Sequence, residues 1–136
     1  MKKRLNCIML IDDDADDNLF HQIIIRKMDV ANEIEVAESG PEALEYLQKE
    51  NHVPDMIFLD INMPGMSGWN FLDEYKKLNA AQKAQVIIIM LTTSISPADK
   101  ERAQKIPEIT SFQSKPLTKE MLSGILEIYF PEEKSD

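Results

Sequence analysis

Three short runs in this chain are apolar almost without interruption: Cys7-Ile-Met-Leu-Ile11, Met56-Ile-Phe-Leu59 and Val86-Ile-Ile-Ile-Met-Leu91. A half-wetted strand alternates polar and apolar residues, whereas a strand covered on both faces does not. An all-parallel sheet is the arrangement that covers both faces, because its crossover helices pack above and below it. Strands are therefore expected at 6–11, 34–37, 56–59, 86–91 and 110–113, with helices near 16–28, 40–50, 67–78, 97–105 and 118–129. Leu19, Phe20, Ile23, Ile24 and Met28 form one apolar helical stripe, and Leu122, Ile125, Leu126 and Tyr129 form another. Helix starts carry their own signals. Ser39-Gly-Pro-Glu42 reads as a capping box, Ser96-Pro97 as a hydroxyl cap before a first-turn proline, and Thr118 as the cap of the last helix.

The strand-like runs stop at polar residues suited to one task. Asp12 and Asp13 follow the first, Asp60 the third, Thr92 the fourth and Lys115 the fifth. In an open parallel sheet those positions lie at the carboxyl edge, where such folds keep their ligands. Acids, a hydroxyl and an amine converging on Asp60 are the groups that transfer of a phosphoryl group onto its carboxylate requires. Within Asp12-Asp-Asp14-Ala-Asp16-Asp17, Asp16 and Asp17 read as charges favourable at a helix start, and Asp14 is divided between cap and bystander. Asp12 and Asp13 differ, since bringing them to Asp60 crowds like charges and calls for a cation. Oxygen-only ligands at that density suit Mg²⁺. A calcium EF-hand loop from Asp12 fails, because its sixth and twelfth positions hold Asp17 and Ile23. Zinc is disfavoured by a single cysteine and by two distant histidines, His21 and His52, which read as surface or helix-packing residues.

With 136 residues, 43% hydrophobic and 29% charged, the chain has the composition of one folded domain. Its net charge of −9 argues against nucleic acid as a direct partner, since phosphate binding needs a basic face. No apolar run approaches the ~20 residues needed to span a bilayer, so membrane insertion is not expected. The basic start, Met1-Lys-Lys-Arg4, leads into too short an apolar stretch for an export signal. A lone Cys7 in a strand reads as packing, and with no disulfide to form the expected location is the cytoplasm.

Taken together, Asp12-Asp13, Leu59-Asp60-Ile-Asn-Met-Pro-Gly65 with Gly68, Leu91-Thr92 and Lys115-Pro116 resemble the receiver (CheY-like) domain of bacterial two-component response regulators. The resemblance spans residues 5–130, with short polar termini at 1–4 and 131–136 and no room for an output domain. It implies a flavodoxin-like, doubly wound α/β fold: five parallel strands in the order 2-1-3-4-5 with five helices. Asp60 would be the phosphoacceptor. Asp13, Asp60 and the backbone carbonyl of Asn62 would bind Mg²⁺ directly, and Asp12 largely through water. Thr92 would bond a phosphoryl oxygen, Lys115 would pair with carboxylates and then phosphate, and the Lys115–Pro116 bond would be cis. Thr92 and Phe112 would act as the switch. Phe112 stands where tyrosine is commoner, Thr93 where alanine is usual, and Ile106-Pro107-Glu108 where a glycine is common.

The function so implied is a stand-alone signalling receiver. It would take phosphate from a histidine kinase or histidine phosphotransfer protein and catalyse only its own phosphorylation and dephosphorylation. It would signal by binding a downstream protein through the fourth and fifth helices and the strand between them, with phosphorylation-dependent dimerisation left open. Two other readings are a degenerate receiver serving as a constitutive scaffold and an aspartate-nucleophile phosphohydrolase using Asp12. The hydrolase reading leaves Asp60 and its Met-Pro-Gly loop unexplained.

Overall fold

Five strands form one sheet, all parallel, in the order β2-β1-β3-β4-β5. The computed structural model describes residues 4–49, 52–78, 86–93 and 96–131. The chain runs β1 (Leu5–Ile11), α1 (Ala15–Met28), β2 (Ala31–Ala37), α2 (Gly40–Gln48), β3 (Met56–Leu59), α3 (Gly68–Tyr75), β4 (Ile87–Thr92), α4 (Pro97–Gln104), β5 (Ile109–Ser114) and α5 (Lys119–Tyr129). The expected strand order and the five expected helices are all present. The expected ends at 1–3 and 132–136, and residue 50 of the second helical segment, fall outside the described residues.

Side-chain alternation divides the core in two. Met9, Ile11, Ile57, Leu59, Ile88 and Met90 point to the layer of α2, α3 and α4. Ile8, Leu10, Met56, Phe58, Ile89 and Leu91 point to the layer of α1 and α5. This is why the three central runs must be apolar at every position. β2 is longer than expected and starts at Ala31, because Leu5 pairs with Ala31 and Cys7 with Glu33 ahead of the apolar segment. As an edge strand it carries polar residues such as Asn32 and Glu33 that remain exposed.

The stripe expected on α1 is not the face it buries. Leu19, Phe20 and Ile23 are 56%, 46% and 41% exposed, while Asn18, His21 and Ile25 are buried. At about 100° per residue the two sets lie on opposite sides of the helix. Ile24 and Met28 pack partly against the core. The stripe on α5 is as expected, with Leu122, Ile125 and Leu126 buried and Tyr129 packed beside them.

The caps follow the sequence with two changes. Ser39, Ser96 and Thr118 each accept a backbone N–H three residues on, at 3.2, 3.1 and 3.1 Å. Glu42 reaches back to the N–H of Glu38 at 2.9 Å, one residue before the cap, so the box closes a wider ring than expected. On α1 the cap is Asp14, whose Oδ1 accepts from the N–H groups of Asp16 and Asp17. Asp17 therefore does not cap the helix, and its carboxylate turns elsewhere.

Candidate functional site

The sheet order reverses between β1 and β3, which opens a crevice at their carboxyl ends. Asp12 and Asp60 stand there side by side, the Asp60 N–H donating to the carbonyl of Ile11 at 3.0 Å. One carboxylate oxygen from each of Asp12, Asp13 and Asp60 lies within 4.8 Å of the other two. Asp12 and Asp60 are buried, and Asp13 faces solvent.

Lys115 reaches into this cluster from the end of β5. Its N–H bonds the carbonyl of Thr92 at 2.8 Å, and the Lys115–Pro116 peptide is cis. The ammonium lies 2.6 Å from Asp12 Oδ2, 2.8 Å from Asp17 Oδ2 and 3.8 Å from Asp60 Oδ2. Burial works against the ammonium, but its hydrogen bonds to Asp12 and Asp17 prevail and hold its pKa above the usual lysine value. Asp12 is fully committed: Oδ1 accepts from the Asp14 N–H at 3.0 Å, and its carbonyl accepts from Asn18 Nδ2 at 2.8 Å. An Asp12 bound at both carboxylate oxygens makes a poor nucleophile, which counts against the hydrolase reading.

Of the two buried carboxylates, Asp60 is the one Lys115 satisfies less. Burial pushes its pKa up to about 6, against the opposing pull of Lys115. The charges of Asp12 and Asp13 contribute to that rise, while the backbone N–H of Asn62 opposes it. The loop beyond is shaped by two glycines. Gly65 has φ +77°, where L side chains rarely go. A Cβ on Gly68 would meet the carbonyl oxygen of Asp60 at 2.5 Å, so α3 can start against Asp60 only without a side chain there.

Thr92 is wholly buried, and its Oγ1 has no hydrogen-bond partner among the described residues. An unpaired buried hydroxyl costs roughly 1–3 kcal/mol and marks a group held for another use. Its register with Ser114, two residues past the Met90–Phe112 pair, turns Thr92 and Phe112 to the same side of the sheet. Phe112 packs against the core from a groove of about 240 Å³ lined also by Lys100, Ala103, Gln104 and Ile109. Thr93 is exposed beside the crevice, and the unusual Ile106–Glu108 segment closes as a tight turn, the Ile109 N–H reaching the Ile106 carbonyl at 3.1 Å.

Two residues at the site do more than the sequence predicts. Asp17, in the first turn of α1 as expected, is also a direct partner of Lys115. His21 is a packing residue, as expected, but with a defined job: its Nε2 accepts from the Leu117 N–H at 3.4 Å, two residues past the lysine. Burial, with the nearby Lys115 charge, lowers its pKa and favours the neutral ring that this bond needs. His52 stacks on Tyr46 with ring centroids 4.5 Å apart, at the opposite edge of the sheet.

Comparison with known proteins was consistent. The family model described as the response regulator receiver domain matches residues 8–127. A two-component response regulator from Cytophaga hutchinsonii superposes with a TM-score of 0.86 at 31% identity, covering 96% of this chain and 100% of that one. The chemotaxis protein CheY of Bacillus subtilis is 36% identical over 84 residues, 60% of this chain and 63% of that protein. The sensor histidine kinase CheAY of Helicobacter pylori is 27% identical over 119 residues, 88% of this chain but only 14% of the kinase.

Proposed function

This chain belongs to the response regulator receiver domain family of two-component signalling proteins, and on that premise we propose that Asp60 is its phosphoacceptor. The receiver unit spans residues 5–130. The donor is a phosphohistidine on a histidine kinase or histidine phosphotransfer protein. One Asp60 oxygen attacks phosphorus, the P–O bond forms as the P–N bond breaks, and the imidazole leaves with its electron pair. The protein catalyses this transfer and the later hydrolysis only on itself.

The observation that carries the reading is the crowding of oxygens from Asp12, Asp13 and Asp60 within 4.8 Å, with a single ammonium beside Asp12 and Asp60. An all-oxygen set with an under-neutralised Asp60 fits Mg²⁺, which prefers one or two carboxylates plus phosphate oxygens. Asp13, Asp60 and the Asn62 carbonyl would hold the ion directly and Asp12 through water. Bound there, it would neutralise charge on the phosphoryl oxygens. Lys115 supplies a further positive charge to those oxygens, and the unpaired Thr92 hydroxyl a donor. Drawing Thr92 toward the phosphate vacates space on the side of the sheet that Phe112 shares, which supports a steric switch read out beside α4 and β5. A downstream protein, or a second phosphorylated copy, would bind that face.

The donor reaches Asp60 past α1, where Leu19, Phe20 and Ile23 are exposed. That apolar arc supports docking of a donor helix. Among the described residues no helix is long and apolar enough to cross a membrane, and the free Cys7 suits a reducing cytoplasm.

Incubation with acetyl phosphate, or with beryllofluoride, tests the assignment. A Mg²⁺-dependent adduct on Asp60, abolished in Asp60→Asn and retained in Asp73→Asn, is expected by mass spectrometry. A stoichiometric adduct on another residue would overturn it.

A further inference from the structure

Lys115 divides one positive charge among three carboxylates, and the proposed acceptor receives the longest contact. Asp12 and Asp17 are at 2.6 and 2.8 Å, Asp60 at 3.8 Å. The two close partners are not equivalent. The side chain of Asp12 is 7% exposed and bonded on both oxygens, so it cannot follow or release the lysine freely. The side chain of Asp17 is 39% exposed, so water can replace the ammonium on its carboxylate at little cost.

Nor is Asp17 a chance surface pair. Three positions of α1 grip the site: Asp17 holds the lysine side chain, Asn18 the Asp12 carbonyl, and His21 the backbone N–H two residues past the lysine. The helix is set in turn by Asp14, whose Oδ1 bonds the Asp17 N–H at 3.1 Å. Asp17 is thus delivered to the lysine by the same helix that orders both loops of the crevice. A phosphoryl group on Asp60 adds charge beside the long arm of the lysine, and the partner it can most cheaply desert is Asp17.

We propose that Asp17 is a positioning residue for the phosphoryl transfer, a releasable latch that holds the Lys115 ammonium back from Asp60 until phosphoryl oxygens draw it across. This rests on the reading of Asp60 as phosphoacceptor. In the resting state the latch restrains the reaction, because the lysine must give up a contact before it can neutralise the incoming phosphate.

The test is the rate of Asp60 labelling by acetyl phosphate at saturating Mg²⁺, measured across acetyl phosphate concentrations. Asp17→Asn should raise the maximal rate about two- to fivefold, the range available to a half-exposed ion pair. The half-saturating concentration should stay unchanged. Asp17→Ser, which also drops the charge, should repeat the gain, and Asp17→Glu should restore the slower rate. In a Lys115→Ala background Asp17→Asn should have no effect, since nothing remains to be released. A rate that is unchanged or lower in both neutral variants, or the same gain without Lys115, overturns the latch. A wild-type protein that takes no label at all overturns the assignment of Asp60, and the latch with it.

Discussion

Three carboxylates (Asp12, Asp17 and Asp60) share one ammonium, with Asp13 crowded beside two of them, and the resulting imbalance falls mainly on Asp60. With its pKa raised to about 6, Asp60 in the folded protein still holds a proton that the unfolded chain releases near 4. The folded state therefore binds more protons between those values, and stability falls as pH rises through the window. Above about pH 6 the penalty is fully present, and as pH falls below about 4 it is gone. Asp60→Asn should accordingly stabilise the Mg²⁺-free protein at pH 7.5, on the order of 1–3 kcal/mol. Urea unfolding of the two proteins at pH 7.5 and pH 4 checks this, and a difference that does not shrink at the lower pH would refute it. Thr92 belongs to the same pattern, as a buried hydroxyl without a partner among the described residues, at the end of the strand next to that of Asp60.

Helix α1 shows how an element can satisfy a sequence pattern and still present the wrong side. Its apolar residues occupy two arcs of three, and one of them, Leu19, Phe20 and Ile23, faces outward while Ile24, Ile25 and Met28 face the core. The buried arc includes Asn18 and His21 because that side must bond the Asp12 carbonyl and the Leu117 N–H as well as pack. Polar residues are tolerable there only because they find partners. The outward arc belongs to the donor-docking reading. Phe20→Glu should lower phosphotransfer from a histidine-phosphorylated protein about tenfold, the loss expected for a buried aromatic anchor of ~1.4 kcal/mol. Labelling by acetyl phosphate and the melting temperature should hold, because Phe20 is 46% exposed. Equal loss with both donors would argue against α1 as the docking helix.

Across the whole molecule, the parallel sheet brings four strand ends to one edge, and the reversal of order between β1 and β3 makes room for an ion between Asp12, Asp13 and Asp60. An ion that binds the folded state alone stabilises it by mass action. Mg²⁺ at ten times its dissociation constant should add about 1.4 kcal/mol, seen as a rise in melting temperature of several degrees. Asp13→Asn should abolish that rise, and an undiminished rise would move the ion elsewhere.

The sheet and the polar residues at its carboxyl edge were legible in residue order because burial on both faces demands continuous apolar runs, and a parallel strand presents its next residues at that edge. That logic located Asp12, Asp13, Asp60, Thr92 and Lys115 without any knowledge of contacts. Asp17 was out of its reach. Its carboxylate meets a lysine 98 positions away, and whether it does so depends on how α1 is rotated about its axis. Local pattern pointed the helix by one apolar arc, whereas the polar partners offered by two distant loops turned it the other way. Residue order thus determined the strands and their polar ends; the assembled fold decided which of those charges share a proton-rich amine, because that choice is made by distances across the sheet.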